Sequence, residues 1–232
     1  MSALSATHAT DPARPFAGLE VAVPAEQRSR IDFALGLRRH WANALFGALR
    51  AQYEARLVAA RTGTGPRPRT GEEAGPIVLD LPLYPPFAWV ERNEQKMKWR
   101  AVTAACEADR AQLVAALNAP VAAPIGSLEL DPSLRLPDYY RNTEFHIQPG
   151  GVWTADLNAF VYELGAKVIF LGKNDDYAFH RLFTEKAIPA PGEYRDILDL
   201  GCGFGKSTRP FVDRFPAARV VGVDLSAPVL KL

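Results

Sequence analysis

The 232-residue chain predicts an α/β fold: a mostly helical N-terminal region followed by the first strand–helix–strand unit of a parallel sheet. Three observations predict it. Apolar residues recur at spacings of three and four over most of the chain before position 195, which is the period of a helix. Two short aliphatic runs, at 197–200 and 219–223, flank a glycine-rich turn and a helical stretch. The composition, 48% apolar and 23% charged, is that of an average globular protein and excludes a disordered chain, a collagen-like repeat and a disulfide scaffold.

Residues 1–24, rich in Ala, Thr, Pro and Ser, carry little periodicity and are expected to be a mobile tail. A mostly helical region should cover 25–174. Ile31, Leu35, Leu37, Trp41, Leu45, Leu49 and Tyr53 predict one long helix or two short ones over 26–61, with Arg38, Arg39, Arg50 and Arg56 on a solvated face. Gly and Pro at 62–76 predict a linker or exposed loop. Ile77–Leu83, bounded by prolines, reads as a strand or an extended segment. Residues 87–118 read as helix, and four prolines from Pro120 to Pro137 then break regular structure. Residues 138–153 mix aromatic and polar side chains around a Pro-Gly-Gly turn. Helices follow at 155–170, with Leu157, Phe160, Val161, Leu164 and Val168 on one face, and at 175–187. The third unit spans 175–232.

Charge is balanced, 27 basic against 26 acidic residues, so no nucleic-acid partner is expected. No apolar run approaches the roughly 20 residues of a membrane span. The start lacks a signal peptide's apolar segment, and the cytoplasm is the expected location. Cys106 and Cys202 are far apart and match no metal-ligand spacing, so no metal is expected.

The chemistry lies at 195–224, RDILDLGCGFGKSTRPFVDRFPAARVVGVD. A strand, a glycine turn, a helix, a second strand and a terminal acid form a nucleotide-type βαβ unit, with ligands expected at the carboxyl ends of the strands. Glycines permit positive φ and close approach of backbone to a ligand. Asp224, nineteen residues after Gly205, can accept two hydrogen bonds from a ribose diol. A phosphate-binding loop would need glycine at position 200, which is Leu200. A dinucleotide fingerprint would need glycine where Lys206 stands.

What remains is acid-x-G-x-G-x-G: Asp199, Gly201, Gly203, Gly205. Ile197–Gly205 resembles the first motif of class I S-adenosylmethionine-dependent methyltransferases, and Val221–Ser226 resembles their second. Residues 139–188 are similar to a segment that precedes this domain in some bacterial proteins. The resemblance implies a Rossmann-like domain over 175–232 that takes S-adenosylmethionine as cofactor. It implies that Gly201, Gly203 and Gly205, with Cys202 and Phe204 between them, line the cofactor. Asp199 would orient the loop, Asp224 would bind the ribose and Leu225 would pack near adenine. Cys202 reads as a small tolerated residue, not a nucleophile. Lys206, Ser207 and Thr208 read as capping or solvated residues. Tyr139, Tyr140, Phe145 and Trp153 either line or cover the pocket, as the resemblance implies, or pack as core between the helical region and the sheet, the more frequent role of such aromatics. No base is identified; His146 and His180 are the candidates near the motif in sequence.

The family's sheet has about seven strands, whereas only 27 residues follow Gly205. The expectation is an incomplete, C-terminally truncated domain with weak cofactor affinity and half-covered strands. The predicted function is methyl transfer to a small-molecule or lipid acceptor. The alternative is a non-catalytic binding module in the helical region with a vestigial Rossmann stub.

Overall fold

A computed structural model describes residues 21–60, 67–120, 126–151, 155–170, 174, 178–188 and 194–232. Ten α-helices and one two-stranded parallel sheet are formed by these residues.

Helices α1 (Ala25–His40) and α2 (Phe46–Ala60) form one continuous run joined by a π-helical turn at Trp41–Leu45. The expected long helix is therefore present, with one widened turn. Of the expected tail, residues 1–20 lie outside the described residues, but Val21 and Val23 pack against the helical core.

The extended reading of Ile77–Leu83 is corrected. Residues from Gly71 to Leu79 form helix α3, so the second half of the Gly/Pro stretch and the start of the apolar run share one helix. The cause is local. The Thr70 hydroxyl accepts the Glu73 backbone N–H at 3.2 Å, and the Glu73 carboxylate accepts the Arg69 N–H at 2.7 Å. The Glu73 N–H, one of the donors that a helix start leaves open, is thereby satisfied, and the carboxylate ties the residue before the cap to the first turn. Residues 62–66 lie outside the described residues.

The next helical stretch divides into α4 (Tyr84–Ala108) and α5 (Arg110–Leu117), broken at Asp109. Helix α4 starts three residues earlier than expected because Pro85 and Pro86 occupy the first turn, where a missing N–H costs nothing. A short helix, α6 (Asp138–Asn142), precedes α7 (Asp156–Ile169) and α8 (Ala178–Ala187).

Helix α7 organises the molecule. Its Leu157, Phe160, Val161 and Val168 join Ile31, Leu35, Trp99, Val102, Cys106 and Leu113 in the main core. The neighbouring positions Ala159 and Tyr162 turn toward the C-terminal unit and pack with Phe204 and Val229.

That unit is β1 (Asp196–Leu200), α9 (Thr208–Arg214), β2 (Arg219–Val223) and α10 (Ala227–Lys231). The strands pair in parallel, Asp196 opposite Arg219 and Leu200 opposite Val223. On one sheet face Leu198 and Leu200 are 60% and 75% exposed. Lys231 ties α10 back to the helical region, donating to Asn118 Oδ1 at 2.8 Å. Among the described residues no helix is long and apolar enough to cross a membrane.

Candidate functional site

The loop between β1 and α9 takes its shape from its glycines. Gly201, Gly203 and Gly205 have φ of +78°, +55° and +87°, in the left-handed region that side chains disfavour. The loop is anchored from β2, whose terminal Val223 carbonyl accepts the Gly201 and Cys202 N–H groups at 2.7 and 3.1 Å. A methyl group placed on Gly201 or Gly205 would meet no atom within 4 Å, so open space lies above both ends of the loop.

Two carboxylates frame the loop. Asp199, in β1, accepts the Ser207 and Thr208 hydroxyls on one oxygen, both at 2.7 Å. These hydroxyls therefore fasten the start of α9 to the sheet, which corrects their expected role as caps or solvated groups. Lys206 is not a solvated residue either. Its ammonium lies 5.0 Å from the centroid of the Phe204 ring and 5.7 Å from that of Phe170.

Asp224, just past β2, divides its oxygens between two backbone donors, Gly203 N–H at 2.9 Å and Ser226 N–H at 2.8 Å. The acid from the second motif thus holds the middle of the glycine loop directly. An ionised carboxylate has about four acceptor positions, so two remain for other donors. Leu225, beside it, is 38% exposed.

Cys202 is buried, and burial, reinforced by the charges of Asp224 and Asp199, pushes its thiol up to about 11. It is a protonated thiol at neutral pH, as expected for a packing residue and not a nucleophile.

The N-terminal elements deliver aromatic groups to this corner. Tyr162 from α7 packs edge-to-face on Phe204 with centroids 5.7 Å apart, and its ring edge comes within 4.0 Å of where a Gly203 side chain would begin. Burial and then the Asp224 charge raise both the Tyr162 and Tyr140 phenols above their ordinary range, so both lie within electrostatic reach of that carboxylate. Tyr139 is 61% exposed and stacks edge-on against Tyr140. Trp153 and the side chain of Phe145 lie outside the described residues.

The two histidines differ. His146 is exposed, with φ of +55°, and contributes its carbonyl, which accepts the buried Trp99 indole N–H at 2.7 Å. His180, on α8, is half-buried and within electrostatic reach of Lys206 and Asp199. The structure thus brings Asp199, the glycines, Asp224, Tyr140 and His180 to one end of the sheet.

Sequence reasoning missed Tyr162 and Asn174. Tyr162 falls among the core positions of an amphipathic helix, and nothing in its spacing marks it as different. Asn174 stands before α8 without a motif.

Comparison with known proteins concerns this same corner. A family of methyltransferase domains matches residues 197–232. Among curated proteins, the trans-aconitate 2-methyltransferase of Azoarcus sp. (strain BH72) is 60% identical over 35 residues, 15% of this chain and 14% of that protein. The trans-aconitate 2-methyltransferase of Rhodopseudomonas palustris (strain BisB5) is 51% identical over 50 residues, 22% of this chain and 18% of its own length. That of Acidovorax sp. (strain JS42) is 43% identical over 49 residues, 21% and 18% respectively. The chain therefore spans under a fifth of the length of these relatives. No solved structure matches.

Proposed function

We propose, from the premise that residues 197–232 are sequence of an S-adenosylmethionine-dependent methyltransferase domain, that the protein transfers a methyl group to a small-molecule acceptor. The observation that carries this reading is the glycine loop. Three left-handed glycines leave open space at both ends, and Asp224 stands beside them with acceptor capacity to spare. These residues fit the cofactor. Gly201, Cys202, Gly203, Phe204 and Gly205 would line it, Asp199 would hold the loop through Ser207 and Thr208, Asp224 would accept the ribose hydroxyls and Leu225 would flank adenine. We assign the helical unit to 25–174 and a Rossmann-like unit to 175–232, in a reducing, cytoplasmic location that suits two buried free thiols.

When bound, the cofactor supplies a methyl carbon already activated by a sulfonium. The protein's work is then orientation and exclusion of water. Tyr162 packs against the loop at Phe204, and Asp199 and Asp224 keep the loop from shifting. The relatives' names direct the acceptor reading to a small carboxylic acid such as trans-aconitate, ahead of a lipid. A carboxylate is ionised at neutral pH, so its oxygen can displace the sulfide without a general base. Neither histidine then has to take a proton.

Thermal-shift titrations with millimolar S-adenosylhomocysteine, S-adenosylmethionine and NAD test the reading, followed by transfer of labelled methyl to trans-aconitate. Stabilisation by the two sulfur compounds and not by NAD is expected. Stabilisation by NAD alone would overturn it. A second reading, a binding module, draws on the main core lying in α1, α4, α5 and α7. A folded chain that responds to no cofactor would favour it.

A further inference from the structure

Asn174 is fully buried and joins two groups of helix α8. Its Oδ1 accepts the Phe179 backbone N–H at 2.8 Å, and its Nδ2 lies 3.1 Å from His180 Nδ1. The backbone N–H can only donate, so the amide atom facing it is the oxygen. The atom facing the imidazole is then the NH₂ group, which can only donate in its turn. His180 Nδ1 must therefore be an acceptor.

We infer that Asn174 locks His180 in the tautomer that carries its proton on Nε2, making this histidine a hydrogen-bond donor and positioning residue beside the glycine loop, not the base of methyl transfer. The role assigned at the loop rests on the methyltransferase reading; the tautomer does not. Protonating Nδ1 would set two donors face to face at 3.1 Å. Burial and the Lys206 ammonium also oppose the charged ring, and Asp199 favours it. Asp213 and Arg214 on α9, and Arg181 and Glu185 on α8 itself, line the cleft between these two helices; among the described residues Lys206 and Asp199 act on the imidazole. A neutral imidazole with Nδ1 occupied offers its surroundings one function, an Nε2–H donor. It lies within electrostatic reach of Asp199, whose carboxylate holds Ser207 and Thr208 and so fastens α9 to β1.

Long-range ¹H–¹⁵N spectra of the ¹⁵N-histidine-labelled chain read the tautomer without any ligand. Wild type is expected to show an unprotonated Nδ1 and a protonated Nε2 at neutral pH, with the ring titrating below the ordinary imidazole range. Asn174→Asp keeps an oxygen for the Phe179 N–H but offers the ring an acceptor. It should move the proton to Nδ1 and raise the titration midpoint. A wild-type spectrum with Nδ1–H, or an Asn174→Asp spectrum identical to wild type, would overturn the inference. The loop role is read by S-adenosylhomocysteine affinity. His180→Gln, which retains a side-chain N–H donor, should stay within about threefold of wild type, and His180→Ala should lose about tenfold. If glutamine is as damaging as alanine, or alanine is harmless, the positioning role is wrong even though the tautomer stands. If no variant, wild type included, binds the cofactor, the methyltransferase reading fails and the spectra still decide the tautomer.

Discussion

Replacing Asp224 by alanine should damage two properties at once, and their separation tests the site. In the structure each carboxylate oxygen accepts one backbone N–H, from Gly203 at 2.9 Å and Ser226 at 2.8 Å. Hydrogen bonds to a charged group contribute roughly 1.5–3 kcal/mol each. The site is only partly buried, so water replaces part of both, and a net stability loss of about 2 kcal/mol is expected. A chain of this size should then lose about 4–8 °C in melting temperature. Cofactor affinity should fall by a further 1.5–3 kcal/mol, about ten- to a hundredfold, because the ribose acceptor is gone. Scanning fluorimetry gives the first quantity and calorimetric titration with S-adenosylhomocysteine the second. Asp224→Asn sharpens the comparison, since it keeps one acceptor oxygen and should lose less of both. Lost stability with unchanged affinity would refute the ribose role and leave Asp224 as a loop anchor alone. Unchanged stability would refute the anchoring itself.

Other expectations follow from burial. Gly165→Ala would place its methyl carbon 2.1 Å from Trp99 Cζ3, a ring that is 1% exposed and held by its bond to His146. Over-packing of about 3 kcal/mol outweighs the roughly 1 kcal/mol that alanine gains in helix propensity, so urea denaturation should show a net loss of about 2 kcal/mol. Lys98 is almost fully buried, and burial lowers its ammonium to about 8 against an ordinary value of 10.5. From pH 8 to 10.5 the unfolded chain holds this proton and the folded chain does not, so the group's contribution to stability rises with pH across that window. Lys98→Met should be more stable than wild type below pH 8, with the difference shrinking toward pH 10; a constant difference would refute the assignment. With its thiol raised to about 11, Cys202 should resist iodoacetamide at pH 7.5 in the folded chain and react readily in urea, as followed by mass spectrometry.

How legible the chain was depended on how local the physics is. The β1–loop–α9–β2 order follows from neighbours in sequence: short aliphatic strands, glycines where φ must be positive, and an acid at the end of β2. Proline and glycine content over helix α3 points to a loop, whereas the cap made by Thr70 and Glu73, which is also local but rests on two side-chain bonds, starts a helix. The break of α4 from α5 at Asp109 carries no comparable signal.

What sequence alone determined was the glycine-loop corner: which glycines turn, which acid stands at each strand, and that the described residues before β1 are mostly helical. Those features depend on backbone sterics and on contacts a few residues apart. Tertiary structure decided what faces that corner. Helix α7 turns one side to the main core and the next positions to the glycine loop, so Tyr162 meets Phe204 and stands beside Asp224 across 40 to 60 residues of chain. Packing also chose between the histidines, exposing His146 and setting His180 against Asn174 near Asp199. Such contacts are made by the order in which helices stack, and no spacing in the sequence encodes that order.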